Sequence, residues 1–233
     1  ERRLKEETTR KNDLIAYLAH DLKTPLTSVI GYLSLLNEAP DMPVEQRAKY
    51  TRITLDKAYR LEKMINEFFD ITRYNLQEIA LQKEPVDLYY LLVQLTDELL
   101  PVLEKNGNTV RLQADEALTV PGDPDKLARV FGNVLKNAAA YSYPDTEIVI
   151  TAEEKEGAVT LRFSNRGRTI PQEKLNSLFE KFYRLDEART SGTGGAGLGL
   201  AIAKEIVSLH GGRITAESID ETVTFTVTLP AQS

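Results

Sequence analysis

The sequence predicts an all-α helical hairpin followed by an α/β two-layer sandwich. Residues 1–76 carry a helical apolar repeat with a single proline-rich break. Beyond that, helical segments are interspersed with short strand-like runs, the pattern of a sheet covered by helices on one face. The 233 residues are 42% hydrophobic and 27% charged, enough apolar side chains for two cores and too many for a disordered chain.

The first helix is read from Leu18, Leu22, Leu26, Val29, Leu33 and Leu36, spaced three or four apart and running to about Glu38. The charged run Glu1 to Arg10 could continue it upstream. Pro25 lies inside the repeat, removes a backbone donor and is expected to kink the helix. Ala39-Pro40-Asp41-Met42-Pro43 breaks it. A second helix, from about Val44 to Tyr74, presents Tyr50, Ile53, Leu61, Ile65, Phe68 and Ile71. Two amphipathic helices bury one seam and leave apolar surface over, so two hairpins are expected to pair as a dimeric four-helix bundle. A lone hairpin docked on the second domain is the competing arrangement.

Residues 77–85 read as a linker, and residues 86–233 as the second domain. Asp87 can cap a helix from Leu88 to about Leu103, ended by Asn106-Gly107-Asn108. Strand-like runs follow at Thr109–Gln113 and Leu118–Val120. Asp123-Pro124 opens a helix to about Tyr141, a capping acid before a proline at the first helical position. Glu147–Glu153 and Ala158–Ser164 are expected to pair through a turn at Glu156-Gly157. Pro171 starts a short helix to about Phe179. A helix Leu200–Leu209 follows a glycine-rich stretch, and strands near Arg213–Glu217 and Thr222–Leu229 close a largely antiparallel sheet.

Composition bounds the function. A net charge of −6 argues against nucleic acid as the main partner. The absence of cysteine removes disulfides and thiolate metal sites and suits a reducing cytoplasm. No apolar run approaches the roughly 20 residues of a membrane span. The chain opens on Glu1 without a signal-peptide pattern, and is expected to be a soluble piece of something longer.

Five stretches carry possible chemistry. His20, one of only two histidines, stands beside Asp21 in the apolar repeat, where such a pair contributes nothing to a buried seam. Asn133 and Asn137 are one helical turn apart, and their amide oxygens are hard ligands suited to Mg²⁺; solvent-facing asparagines are the bland alternative. Asn165-Arg166-Gly167 ends a strand and would by itself be a turn. Phe179 and Phe182 belong in a core, while Arg184 offers a planar donor fork for phosphate. Five glycines in Gly192–Gly199 lead into a helix, where backbone amides can approach phosphates. No Gly-Lys-Ser/Thr follows, so this is not a P-loop, and no strand precedes it closely enough for a dinucleotide fingerprint. His210, before Gly211-Gly212, reads as structural.

Taken in order, these stretches resemble the boxes of sensor histidine kinases. His20-Asp21-Leu22-Lys23-Thr24-Pro25 resembles the H box, and Asp125 through Tyr141-Ser142 the N box. Asn165-x-Gly167 matches the G1 box, Phe179 to Arg184 the F box, and Gly195-x-Gly197-Leu198-Gly199-Leu200 the G2 box. The resemblance spans about residues 11 to 229. It implies a phosphotransfer hairpin and an ATP-binding domain of the GHKL (Bergerat) type, with ATP and Mg²⁺ as cofactors. It implies that His20 takes the γ-phosphoryl group, oriented by Asp21, with Arg184 steadying that group. It further implies Mg²⁺ at Asn137 with Asn133 nearby, and nucleotide contacts from Tyr141, Asn165, Gly167, Phe179 and Phe182. Gly195, Gly197, Gly199 and Leu200 would form the lid hinge. Asp21 and Thr24 match the Asp-x-x-Thr by which the family places a water to dephosphorylate its response regulator. The implied partners are a second copy of the chain and that regulator. Membrane contact would come only through a missing N-terminal sensor segment, this chain being the cytoplasmic portion.

The chain departs from the family in two places. The G1 box is usually Asp-x-Gly-x-Gly, and here Asn165 and Thr169 replace the acid and the second glycine. Many relatives carry a lysine near the end of the N box, where this chain has Ala138-Ala139-Ala140. Within the family, HDLKTPLTSVIGYLSLL, DPDKLARVF and EKFYRLDEARTSGTGGAGLGLAIAKEIV look close to the sensor kinases of vancomycin-resistance operons. That finer likeness implies a membrane-bound parent responding to a glycopeptide antibiotic. The wider fold also serves ATPases without a phosphohistidine. A docking module that merely binds nucleotide is the other alternative, and replacing His20 would leave it unchanged.

Overall fold

The computed structural model describes residues 22–76, 81–180, 183 and 197–231. The chain divides into two compact units, Glu1–Arg73 and Tyr74–Ser233. The expected helical run at Glu1 to Arg10 lies outside the described residues.

The first unit is two helices, α1 (22–38) and α2 (Val44–Leu76). The break between them follows from Pro40 and Pro43, which supply no backbone donors. The Met42 N–H closes the turn on the Ala39 carbonyl at 3.1 Å, and the Arg47 guanidinium donates to the Pro40 carbonyl at 2.6 Å. Tyr32 and Tyr50 pack across the hairpin with ring centroids 5.3 Å apart. Pro25, Thr54 and Met64 are buried. The expected apolar face of α1 is nevertheless only partly covered: Leu26 and Leu33 are 45% and 51% exposed, and Leu55 and Tyr59 of α2 are also exposed. A single hairpin thus leaves an apolar surface open.

The second unit runs β1 (Glu84–Asp87), α3 (Leu88–Lys105), β2 (Thr109–Ala114), β3 (Thr119–Gly122), α4 (Pro124–Tyr141), β4 (Glu147–Lys155) and β5 (Ala158–Arg166). It continues with α5 (Gln172–Leu175), a 3₁₀ turn (Asn176–Phe179), α6 (Gly199–Leu209), β6 (Arg213–Ile219) and β7 (Thr222–Pro230). Five strands form one sheet in the order β2-β4-β5-β7-β6, and β1 and β3 form a separate antiparallel pair. The sheet is mixed, since β2 joins β4 in parallel while the remaining pairs are antiparallel.

Strand alternation separates the two faces. Val159, Leu161, Phe163 and Asn165 of β5 point inward with Val223, Phe225, Val227 and Leu229 of β7. Helix α4 meets them with Leu127, Val130, Phe131, Val134, Leu135 and Ala138. Phe131 stacks on Phe163 at 6.0 Å, and fully burying each ring contributes about 1.5–3 kcal/mol. The outer face is polar, with ion pairs Arg162–Glu153 and Arg111–Glu147, each at 2.9 Å.

Helix starts follow the sequence chemistry. Asp87 accepts the Tyr90 N–H at 2.8 Å at the head of α3. Asp123 accepts the Lys126 N–H at 3.2 Å, with Pro124 in the first turn of α4. The α3 terminator also ties down the loop after α4, because the buried Asn108 amide donates to the Tyr143 and Thr146 carbonyls at 2.8 and 3.1 Å.

Candidate functional site

Among the described residues, Asn133, Asn137, Tyr141, Asn165, Gly167 and Gly199 meet around the C-terminal half of α4. Asn133 and Asn137 share one face of that helix, and both are half-buried. The Asn133 amide nitrogen donates to the Gly199 carbonyl at 2.9 Å, across 66 residues, and so joins α4 to the head of α6. The Asn137 amide nitrogen donates to the Asn133 carbonyl at 3.3 Å. Each nitrogen is engaged by a backbone carbonyl, which fixes both amides with the oxygen as the end left to accept. That end suits a hard cation. Among the described residues no cluster of His, Cys, Asp or Glu could hold a metal, so a cation here would rely on amide oxygens, phosphate and water.

Helix α6 starts without a side-chain cap and without an acidic residue in its first turn. Its first amides, which have no partner within the helix, and the positive end of its dipole favour an anion. Gly197, two residues before it, has φ +75°, which a side chain would strain. Leu198 and Leu200 are buried and anchor the start of the helix in the core.

Asn165 ends β5 on the inward face and is 3% exposed. Among the described residues its amide nitrogen has no hydrogen-bond partner. Gly167 lies against the end of α4: a Cβ there would fall 2.5 Å from the Tyr141 carbonyl oxygen and 3.2 Å from the Asn165 amide nitrogen. Only glycine fits that approach. Tyr141 itself is 44% exposed. Phe179 is buried and packs edge-on to Phe225 at 6.4 Å.

The loop after β5 is pinned by residues whose part the sequence alone did not disclose. The Gly167 N–H donates to the Glu221 carbonyl at 2.9 Å, the Glu221 N–H to the Thr169 hydroxyl at 3.0 Å, and the Ile170 N–H to the Ser218 hydroxyl at 2.9 Å. Thr169 therefore contributes a hydroxyl where the family pattern has glycine. The signal for this is Asp220-Glu221, a tight turn with both φ values positive, which brings an amide beside the loop. Tyr143 donates to Glu221 at 3.0 Å. That bond, burial and the Glu221 charge hold the phenol above its ordinary 10.0, against the lowering pull of Arg168 and Arg166.

Thr24 lies in the first described turn of α1. Of the N-box alanines, Ala138 and Ala139 are buried and Ala140 is exposed. His20, Asp21, Phe182, Arg184 and Gly195 lie outside the described residues.

The His Kinase A (phospho-acceptor) domain matches residues 10–77, and the Histidine kinase-, DNA gyrase B-, and HSP90-like ATPase matches residues 122–233. Sensor protein VanS of Enterococcus faecium is 65% identical over 222 residues, 95% of this chain and 58% of that protein. Sensor protein VanSC of Enterococcus gallinarum is 52% identical over 230 residues, 99% of this chain and 63% of its own length. The chain thus spans about three fifths of these relatives. The crystal structure of histidine kinase ThkA in complex with response regulator protein TrrA has the same fold, with a TM-score of 0.78 and 23% identity, over 99% of this chain and 65% of that one. A phospho-acceptor domain followed by an ATPase domain, in one chain this similar to VanS, makes the chain a member of the sensor histidine kinases.

Proposed function

We propose that the chain is an ATP-dependent protein-histidine kinase: it phosphorylates His20 and passes the group to an aspartate of a response regulator. The observation that carries this reading is the presence, in one chain, of a phospho-acceptor hairpin and an ATPase domain whose Asn133 is tied to Gly199. We take the hairpin as residues 1–76, the linker as 77–85 and the ATP domain as 86–233.

The unprotonated ring nitrogen of His20 attacks the γ-phosphorus in line. The bond from that phosphorus to the β–γ bridging oxygen breaks, and ADP leaves with the electron pair. Asp21 holds the other ring N–H, which keeps the attacking nitrogen free. Asn137 and Asn133 are the residues that would hold Mg²⁺ through their amide oxygens. When bound, the ion neutralises charge on the β- and γ-phosphates. The first amides of α6 face the phosphates, Gly195, Gly197 and Gly199 let the lid close, and Arg184 steadies the transferred group. Asn165, Gly167 and Tyr141 meet the base, with Leu200, Phe179 and Phe182 as the apolar support beneath.

The exposed apolar surface of α1 and α2 is covered by a second copy, which gives the homodimeric bundle. Asp21 and Thr24 place the water that removes the phosphoryl group from the regulator. The identity to VanS and VanSC supports a role in vancomycin-resistance signalling, as the cytoplasmic portion of a membrane sensor. ThkA, solved with a response regulator, supports the kind of partner.

The test is transfer. Protein labelled from γ-labelled ATP and Mg²⁺ is freed of nucleotide and mixed with the response regulator of a vancomycin-resistance operon. Label should move to the regulator and then appear as free phosphate, and should stop at the regulator in Thr24→Ala. Label that stays on the kinase in the presence of the regulator contradicts the proposed partner.

A further inference from the structure

Asn165 carries an unanswered donor. The residue is 3% exposed, its amide nitrogen has no hydrogen-bond partner among the described residues, and it lies at the end of β5 beside Gly167, which meets the Tyr141 carbonyl. A buried amide nitrogen without an acceptor opposes folding, so native proteins nearly always satisfy such groups. At the edge of a nucleotide site, the missing acceptor is a ligand atom. We propose that Asn165 reads the six-position edge of a purine with an amide that works in either orientation, so that the site takes 6-keto as well as 6-amino purine nucleoside triphosphates. The proposal rests on the ATP-binding reading above and goes beyond it in naming the range of bases.

The argument is one of donors and acceptors. Adenine offers an amino donor at the six-position and an acceptor at N1. Hypoxanthine and guanine offer a carbonyl acceptor at the six-position and an N1–H donor. A carboxylate only accepts, so it pairs with the adenine amino group and repels a 6-keto oxygen. An amide carries both functions, and a half-turn about its terminal torsion exchanges them. With its oxygen toward the adenine amino group, Asn165 gives its nitrogen to N1. Turned over, it gives the nitrogen to the 6-keto oxygen and accepts the N1–H. Both poses supply the acceptor that the buried nitrogen lacks. Gly167 keeps the space beside the amide nitrogen clear, since a Cβ there would fall 3.2 Å from it.

The experiment is equilibrium competition of ATP, ITP and GTP against a fluorescent trinitrophenyl ATP analogue on the whole chain, with Asn165→Asp beside wild type. ITP is the decisive probe because its base differs from adenine only along the edge in question, and GTP adds an exocyclic amine. Wild type should bind ITP within about tenfold of ATP, and Asn165→Asp should raise the preference for ATP over ITP by about tenfold or more. A wild type that disfavours ITP by more than about tenfold, or a preference unmoved in Asn165→Asp, overturns the proposal while leaving ATP binding intact. If Asn165→Asp fails to fold by circular dichroism, the wild-type ratio alone decides. Failure of ATP itself to displace the analogue would overturn the ATP-binding reading and this proposal with it.

Discussion

The His210 Nε2 accepts the backbone N–H of Asp123 at 3.0 Å, joining the end of α6 to the start of α4 across 87 residues. The other ring nitrogen lies 2.8 Å from the Ile206 carbonyl, an acceptor, so Nδ1 carries the hydrogen and the tautomer is set by its neighbours. Asp123 in turn caps α4 and accepts the Gln82 N–H at 3.2 Å. One buried histidine and one buried aspartate thus fix the relative position of the two helices that the Asn133–Gly199 bond joins farther along.

His210→Ala deletes the acceptor for a buried N–H and leaves a cavity beside Leu127 and Gly122. Stability should fall by about 2–4 kcal/mol. Urea unfolding of the whole chain beside wild type measures it, and a loss below the scatter of surface substitutions contradicts this place for His210.

Asn133→Ala removes the donor that holds the Gly199 carbonyl and one of the two amide oxygens offered to Mg²⁺. Autophosphorylation should fall by about tenfold or more, as expected when a positioning contact is lost. Backbone amides at the start of α6 should exchange faster with deuterium. Unchanged exchange at Gly199 to Ile202 would show that the bond to Asn133 does not hold the helix start.

Tyr143 supplies a pH prediction. Its phenol is held above 10.0 because the neutral O–H is bound to Glu221. The folded chain therefore keeps this proton where the unfolded chain releases it. The stabilisation is complete below pH 10 and is lost as pH rises through the elevated folded value. In ¹³C-tyrosine spectra Tyr143 should titrate above the ordinary value, and Glu221→Gln should bring it down toward 10.0. A titration unmoved by Glu221→Gln would contradict the cause assigned to it.

The parts of this fold legible in the sequence are those set by neighbours along the chain. Asp123-Pro124 marked the start of α4 because a capping carboxylate and a proline act within one turn. Glu156-Gly157 marked the β4–β5 hairpin, and Asn106-Gly107 the end of α3. Strands came out a residue or two longer because the ladder continues wherever a partner is present, as where Arg166 pairs with Thr222 at the edge of the predicted strand. The parallel pairing of β2 with β4 was not legible, since no local signal chooses a partner across an intervening helix. At the site, the helical spacing of Asn133 and Asn137 was readable, but not the bond from Asn133 to Gly199. The hydroxyl of Thr169 looked like a lost glycine until the turn at Asp220-Glu221 was seen to bring an amide to it. His210 read as structural from its place before Gly211-Gly212, without any hint that its partner was Asp123.

The most direct test of the central claim is labelling of the whole chain with γ-labelled ATP and Mg²⁺, with His20→Gln alongside, and scoring of protein-bound label for acid lability. The account predicts acid-labile label on wild type and none on His20→Gln, with ATP still bound by both. Label that persists in His20→Gln, or a wild type that binds ATP and acquires none, would contradict it.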